Sequence, residues 1–355
     1  MSLQAQPYNF HIQQQMYQKG VKHMCDNGVT HVPTKYILPE PERPRNLAID
    51  GCIHLPVIDF TRLQGADRPQ VLASLSRACQ EFGFFQLVNH GIGNEVIGKM
   101  IDVCKRFFEQ PYEERQRYMS SNLYAPVRYG TSFNQNNDSV FCWRDFLKLS
   151  CYPMQDFSSL WPSSPLDLRE AVGDYSTKTR DLYQSVMEAI LESIGVTNES
   201  ALCEDGNQLM MVNWYPECPQ PQLTLGLPPH SDYSLLTLLL QDEVEGLQIQ
   251  HNAQWVTVKP IPNSFVVNIG DQFEIFSNGR YKSVVHRVAV NSTRSRLSIA
   301  SLHSLHVNNN VTPSAKLIDE SNPILYRDTN FADFLNHLSS SDFKSKRFLE
   351  SRKLH

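Results

Sequence analysis

His230-Ser231-Asp232 places an imidazole and a carboxylate at positions i and i+2. On extended backbone those side chains leave the same face, so both can reach one ion. A second imidazole, His286, sits in a Val284-Val285-His286-Arg287-Val288 run that reads as a strand. Two imidazoles and a carboxylate on one face of an octahedron leave three positions open, which suits a non-haem Fe(II) centre taking O2 beside a chelating cosubstrate. Structural zinc sites close their positions instead. In a chain with 12 histidines an isolated His-x-Asp decides little. Arg296-Leu297-Ser298, ten residues after His286, adds a second i, i+2 pair. Its guanidinium can grip a distal carboxylate in bidentate fashion and its hydroxyl adds a hydrogen bond, so the pair fits a dicarboxylate whose 2-oxo acid end chelates iron. Arg294 would share that face on a regular strand and competes for the role. Asp271, in a Gly-Asp turn, and His303, in a strand, are expected to be structural, and His90 to bond backbone in its Val88-Asn89-His90-Gly91 turn.

The elements that must position these residues are legible in outline. A first helix leads into a Pro-rich connector over Val32 to Arg45, and a short strand follows at Leu55–Phe60. Val71, Leu72, Leu75 and Ala78 recur at helical spacing over Asp67–Glu81, Gly83 ends that helix, and Phe84–Val88 reads as a strand. Further helices are expected over Asn94–Phe108 and Leu166–Ser193, and a last one over Phe331–Leu349. Beyond residue 207 short β-rich runs take over: Leu209–Trp214, Leu235–Leu240, Leu247–Gln250, Trp255–Val258, Phe265–Ile269, Ser283–Val290 and Leu297–Leu302. Turn residues between them indicate an antiparallel sandwich or jelly roll. The expected organisation is an N-terminal helical and strand region (1–206), a metal-binding core (207–310), and a C-terminal extension that closes the site (311–355).

Five motifs together resemble one family: Asn213-Trp214-Tyr215-Pro216-Glu217-Cys218-Pro219, Pro229-His230-Ser231-Asp232, Asn268-Ile269-Gly270-Asp271-Gln272, Ser277-Asn278-Gly279-Arg280-Tyr281 running on to His286-Arg287-Val288, and Arg296-Leu297-Ser298. They look like the plant 2-oxoglutarate/Fe(II)-dependent dioxygenases, and Glu81-Phe82-Gly83-Phe84-Phe85 through His90-Gly91 looks like that family's N-terminal region. The match covers nearly the whole chain. It implies a mainly β fold, a double-stranded β-helix (jelly roll) with flanking helices. It also implies Fe(II) on His230, Asp232 and His286, 2-oxoglutarate on Tyr215, Arg296 and Ser298, and Asn213 close to the metal. O2 would be consumed, succinate and CO2 released, and ascorbate would act as reductant. Trp214, Glu217 and Ser231 depart from common family residues without touching an implied ligand.

Substrate identity should lie in less patterned segments, above all Tyr124 to Phe146. Tyr129, Phe133, Phe141 and Phe146 could line an aromatic pocket there with Lys148 nearby, and Leu302 is a further wall candidate. The resemblance implies hydroxylation or desaturation of a small plant metabolite or hormone of flavonoid, phenolic or terpenoid-like type. Two rivals are an Fe(II)/O2 oxidase of the same fold that does without 2-oxoglutarate, and a silent small-molecule binding scaffold. A zinc hydrolase lacks a general base in the pattern.

Composition agrees with a folded enzyme. Apolar residues make up 41% and charged residues 19% of 355, with no run long enough to span a bilayer. The opening residues show no secretory pattern, and the eight cysteines form no C-x-x-C pair, so a cytoplasmic protein, able to diffuse into the nucleus, is expected. A net charge of −5 without a basic, aromatic-rich cluster points away from nucleic acid. A monomer is expected, with larger assemblies left open.

Overall fold

The computed structural model describes residues 19–44, 54–132, 138–197, 199, 202, 206–340 and 347–354. The strands are β1 (Val57–Asp59), β2 (Phe84–Val88), β3 (Val127–Thr131), β4 (Asp145–Tyr152), β5 (Asn207–Tyr215), β6 (Leu227–His230), β7 (Leu236–Gln241), β8 (Leu247–His251), β9 (Gln254–Thr257), β10 (Phe265–Ile269), β11 (His286–Val288) and β12 (Arg296–Ser304). An eight-stranded sheet runs β1-β2-β10-β7-β12-β5-β4-β3, and a four-stranded sheet runs β6-β11-β8-β9. Only β1 and β2 pair in parallel among these. The two sheets enclose one cavity, with walls from both, which is the jelly roll the strand pattern predicts.

Strand alternation sorts side chains between that cavity and the helices. On β5, Leu209, Met211, Asn213 and Tyr215 line the cavity, while Met210, Val212 and Trp214 join the main core. The antiparallel register continues this across the sheet. Asn213 stands between Phe146 of β4 and Ser298 of β12, and Tyr215 opposite Arg296.

The helices of six or more residues are α1 (Val21–Asp26), α2 (Arg68–Glu81), α3 (Asn94–Glu109), α4 (Leu168–Ser193), α5 (Asp271–Phe276), α6 (Phe331–Ser340) and α7 (Arg347–Arg352). Of these, α2, α3 and α4 pack on the other face of the large sheet, whereas Phe331 and Phe334 of α6 line the cavity. In α2 the buried positions are Val71, Leu75, Ala78 and Cys79, an apolar stripe at helical spacing. Gly83 then turns the chain into β2 at φ +61°. A Cβ there would lie 2.1 Å from the Lys282 carbonyl oxygen, so glycine is required on two counts.

Several expected elements change. β3 and the start of β4 fall in the stretch read as less patterned, and the rest of β4 is not among the expected strands, because their cavity face carries Arg128 and Lys148 and this blurs the apolar alternation. Gly270-Asp271 opens a helix rather than a simple turn. Every residue of α5 is buried, so no amphipathic signal marks it. The single terminal helix becomes α6 and α7, and residues 341–346 between them lie outside the described residues. The large sheet draws β1–β4 from before residue 206 and β5, β7, β10 and β12 from after it.

Candidate active site

Two strand ends and the segment that follows one of them converge on one point. His230 closes β6, His286 opens β11 directly opposite it, and Asp232 lies two residues past β6. The Nε2 atoms of His230 and His286 each stand 3.7 Å from Asp232 Oδ1, and the ligand-type atoms of the three residues all lie within 4.8 Å of one another.

The surroundings aim these atoms inward. Nδ1 of His230 donates to the Pro228 carbonyl at 2.8 Å, and Nδ1 of His286 to the Val284 carbonyl at 3.2 Å. A carbonyl can only accept, so each Nδ1 carries the proton and each Nε2 lone pair is left for a cation. Asp232 Oδ2 accepts from Thr237 Oγ1 at 2.7 Å and from Asn268 Nδ2 at 2.9 Å, which turns Oδ1 toward the imidazoles. Burial, then the second imidazole, pushes the His230 pKa well below the ordinary histidine range, so its ring is neutral. For Asp232 burial favours protonation, yet His286, His230, Asn268 and Thr237 outweigh it and lower the pKa. Two ring nitrogens facing one carboxylate oxygen, all on one side, fit a divalent iron that keeps open positions.

Arg296 is placed for an anion. Nε donates to the Val244 carbonyl at 3.1 Å and Nη2 to Gln241 Oε1 at 2.8 Å, while the buried Nη1 has no hydrogen-bond partner. Its guanidinium lies 5.2 Å from the centre of the Tyr215 ring, and Ser298 is two residues along the same cavity face. That orphaned donor fits the distal carboxylate of a dicarboxylic cosubstrate. The rival Arg294 precedes β12, is 55% exposed and pairs with Glu243 at the surface. Asn213 accepts from Arg144 Nη1 at 3.0 Å beside the metal-type cluster.

The comparisons with known proteins agree with this geometry. Residues 206–304 match the 2OG-Fe(II) oxygenase superfamily, and residues 55–164 match the family described as non-haem dioxygenase in morphine synthesis N-terminal. Protein DMR6-LIKE OXYGENASE 2 of Arabidopsis thaliana is 39% identical over 330 residues, covering 92% of this chain and 95% of that protein. The chain belongs to the 2OG-Fe(II) oxygenase superfamily. Flavanone 3-dioxygenase 2 of Oryza sativa subsp. japonica is 40% identical over 90% of this oxygenase and 93% of its own length. A crystal structure of JOX2 in complex with 2OG, Fe and JA superposes with a TM-score of 0.86 at 32% identity, covering 95% of this chain and 98% of that one. The protein is a plant-type dioxygenase that uses Fe(II), 2-oxoglutarate and O2, with ascorbate as reductant.

The oxygenase cavity has a volume of about 270 Å³ and corrects part of the expected pocket. Phe146, Lys148 and Leu302 line it. Tyr129 does not. It faces away from the cavity, and its hydroxyl accepts from Arg115 at 2.6 Å and donates to Asp145 at 3.2 Å in the core. Phe141 packs edge-on against Tyr36 in a separate apolar cluster beside α1. Phe133 lies outside the described residues. Thr237, Asn268, Gln241, Arg128 and Arg144 were not singled out from the sequence. Asn268 stands in a family motif with no role attached, and the others belong to no motif whose spacing marks a role; even Thr237, five residues from Asp232, meets it only through the turn between β6 and β7.

Asp271 stays outside the metal-type cluster, accepting from Ser231 at 3.1 Å and Ser283 at 2.7 Å. His303 stacks on Tyr183 at 4.1 Å on the helical side. His90 contacts the Asn263 carbonyl at 3.2 Å and accepts from the Ile92 amide, as its turn predicts. Among the described residues no helix is long and apolar enough to cross a membrane.

Proposed function

We propose that His230, Asp232 and His286 hold Fe(II), that Arg296 and Ser298 bind the distal carboxylate of 2-oxoglutarate against Tyr215, and that Asn213 borders both. The observation that carries this reading is the buried, unpartnered Nη1 of Arg296 in the same cavity as three convergent metal-type ligands. Bound there, Fe(II) and 2-oxoglutarate supply O2 activation, with decarboxylation to succinate and CO2. The chain's own part is to orient both imidazoles through the Pro228 and Val284 carbonyls, fix the carboxylate through Thr237 and Asn268, and keep water out with the apolar lining.

The substrate is a small organic metabolite that lies along Phe146, Lys148 and Leu302 and is hydroxylated or desaturated. The names of similar proteins, flavanone 3-dioxygenase and jasmonate-induced oxygenase, support a flavonoid, phenolic or hormone-like molecule. Residues 207–310 carry the metal and cosubstrate ligands, the region before 207 supplies four strands of the large sheet and part of the substrate wall, and the C-terminal extension closes the cavity, where Phe334 stacks on Tyr233 at 4.1 Å. The enzyme works in the cytoplasm as a monomer and without nucleic acid.

The test is an anaerobic titration of apoprotein with Fe(II) and then 2-oxoglutarate, followed by the weak visible band of an Fe(II)–2-oxo acid chelate. The band should need both components, vanish in His286→Ala, and demand much more 2-oxoglutarate in Arg296→Ala. A band indifferent to both substitutions would overturn the residue roles.

A further inference from the structure

Arg128 and Lys148 stand directly opposite each other in the β3–β4 ladder, and both line the cavity. Like charges in that position repel, and here neither reaches bulk water freely, since Arg128 is buried and Lys148 half-buried. A third cation, Arg144, is 3% exposed and lies on the same wall just before β4. The guanidinium carbons of Arg128 and Arg144 lie 5.1 and 5.0 Å from the centre of one ring, Phe146.

Among the described residues, the hydrogen-bond acceptors that meet these cations are neutral oxygens. Lys148 Nζ donates to the Leu123 carbonyl at 2.6 Å, and Arg144 donates to the Ser132 carbonyl at 2.8 Å and to Asn213 Oδ1 at 3.0 Å. Arg144 Nε is buried without a partner. Arg128 Nε donates to the Ser120 carbonyl at 2.9 Å. The acid that Arg128 feels, Asp138, stands off the lining and accepts from Ser132 Oγ at 2.6 Å. Among the described residues of the lining the sole carboxylate is Asp232, already engaged by Thr237, Asn268 and the two imidazoles. Three clustered cations on an otherwise largely apolar wall fit a ligand that brings its own negative charge.

We propose that the substrate is a small carboxylic acid with an apolar body, its carboxylate seated between Arg128 and Lys148 and its body running past Phe146 toward His230 and His286. This rests on the function proposed above and names its substrate class. The ammonium of Lys148 agrees with it. Burial, and then Arg128, push the Lys148 pKa down to about 8, so the amine is held in an environment that lacks a nearby anion. Arg296 serves the cosubstrate's carboxylate on β12, so the site would read two acids with two separate sets of cations.

The experiment uses full-length protein loaded anaerobically with Fe(II) and saturating 2-oxoglutarate. Matched probes are benzoate, phenylacetate and trans-cinnamate, each against its methyl ester. Calorimetry gives the Kd for each probe, and succinate release in air reports coupling. Each acid that binds should bind at least about tenfold tighter than its ester, a difference of about 1.4 kcal/mol. Lys148→Met and Arg128→Met should erase that preference, and Lys148→Arg should keep it. Esters that bind as well as the acids, or no binding by any acid, would overturn the proposal in the wild-type protein alone, whatever the variants do. A 2-oxoglutarate Kd that rises in step in Lys148→Met would also overturn it, by assigning these cations to the cosubstrate. Failure of the underlying reading shows separately, as absence of the Fe(II)–2-oxo acid band before any probe is added.

Discussion

Thr237 donates its hydroxyl to Oδ2 of Asp232 at 2.7 Å and thereby leaves Oδ1 facing both imidazoles. Asn268 holds the same oxygen from β10. Neither residue needs to touch the metal to matter, because a carboxylate free to rotate about χ2 loses its single useful orientation. Thr237→Val should therefore weaken Fe(II) binding by roughly 10- to 100-fold while the fold persists. Anaerobic Fe(II) titration beside thermal melting checks this, and unchanged affinity would mean that packing alone holds the carboxylate.

Asp232→Ala should abolish turnover, with the apoprotein still folded, because it removes one of the three proposed ligands and the carboxylate of the cluster. Far-UV circular dichroism and succinate release read the two effects. Activity at the wild-type level would take Asp232 out of the metal shell.

Arg296→Ala should raise the 2-oxoglutarate requirement far more than the requirement for substrate. Loss of a charge-assisted pair costs about 1.5–3 kcal/mol, or roughly 10- to 150-fold. Arg294→Ala should leave it unchanged, since that side chain is at the surface with Glu243. Gly246→Ala gives an independent check. Its Cβ would meet Arg296 Cδ at 2.9 Å and the Ala289 carbonyl oxygen at 3.0 Å, so the guanidinium must shift and 2-oxoglutarate binding should weaken again. A larger loss in Arg294→Ala than in Arg296→Ala would show the assignment to be inverted.

Tyr129→Phe should cost stability and spare substrate preference. The hydroxyl accepts from Arg115 and donates to Asp145, both fully buried, so its loss takes one hydrogen bond from each of two buried polar groups at about 1–3 kcal/mol. Chemical denaturation measures the first effect, and the ratio of turnover rates on two substrates the second. An altered ratio at unchanged stability would return Tyr129 to the pocket wall.

Much of the site could be read locally because its spacing is local. His230 and Asp232 are two residues apart, as are Arg296 and Ser298, and a strand sends such pairs to one face whatever the rest of the fold does. The strands Phe84–Val88 and Phe265–Ile269 were likewise bounded correctly, since flanking Gly and Asn residues mark their ends. What the sequence left open was which strand begins where and what lies beside it. Arg294 and Arg296 obey the same alternation; the family resemblance favours Arg296, and the fold adds that β12 starts at Arg296 with the Gln241 and Val244 oxygens meeting it, while Arg294 lies at the surface. Tyr129 and Phe146 both read as pocket aromatics, but the β3–β4 register sends Tyr129 toward Arg115 and Asp145 and Phe146 toward the cavity. The pairing of Arg128 with Lys148 was equally out of reach, because twenty residues separate them and only the hairpin brings them face to face. Sequence alone determined the reaction class, since ligand type and i, i+2 spacing are properties of a short segment. The tertiary structure decided which side chains line the cavity, because facing and neighbourhood depend on strand register, which distant segments set.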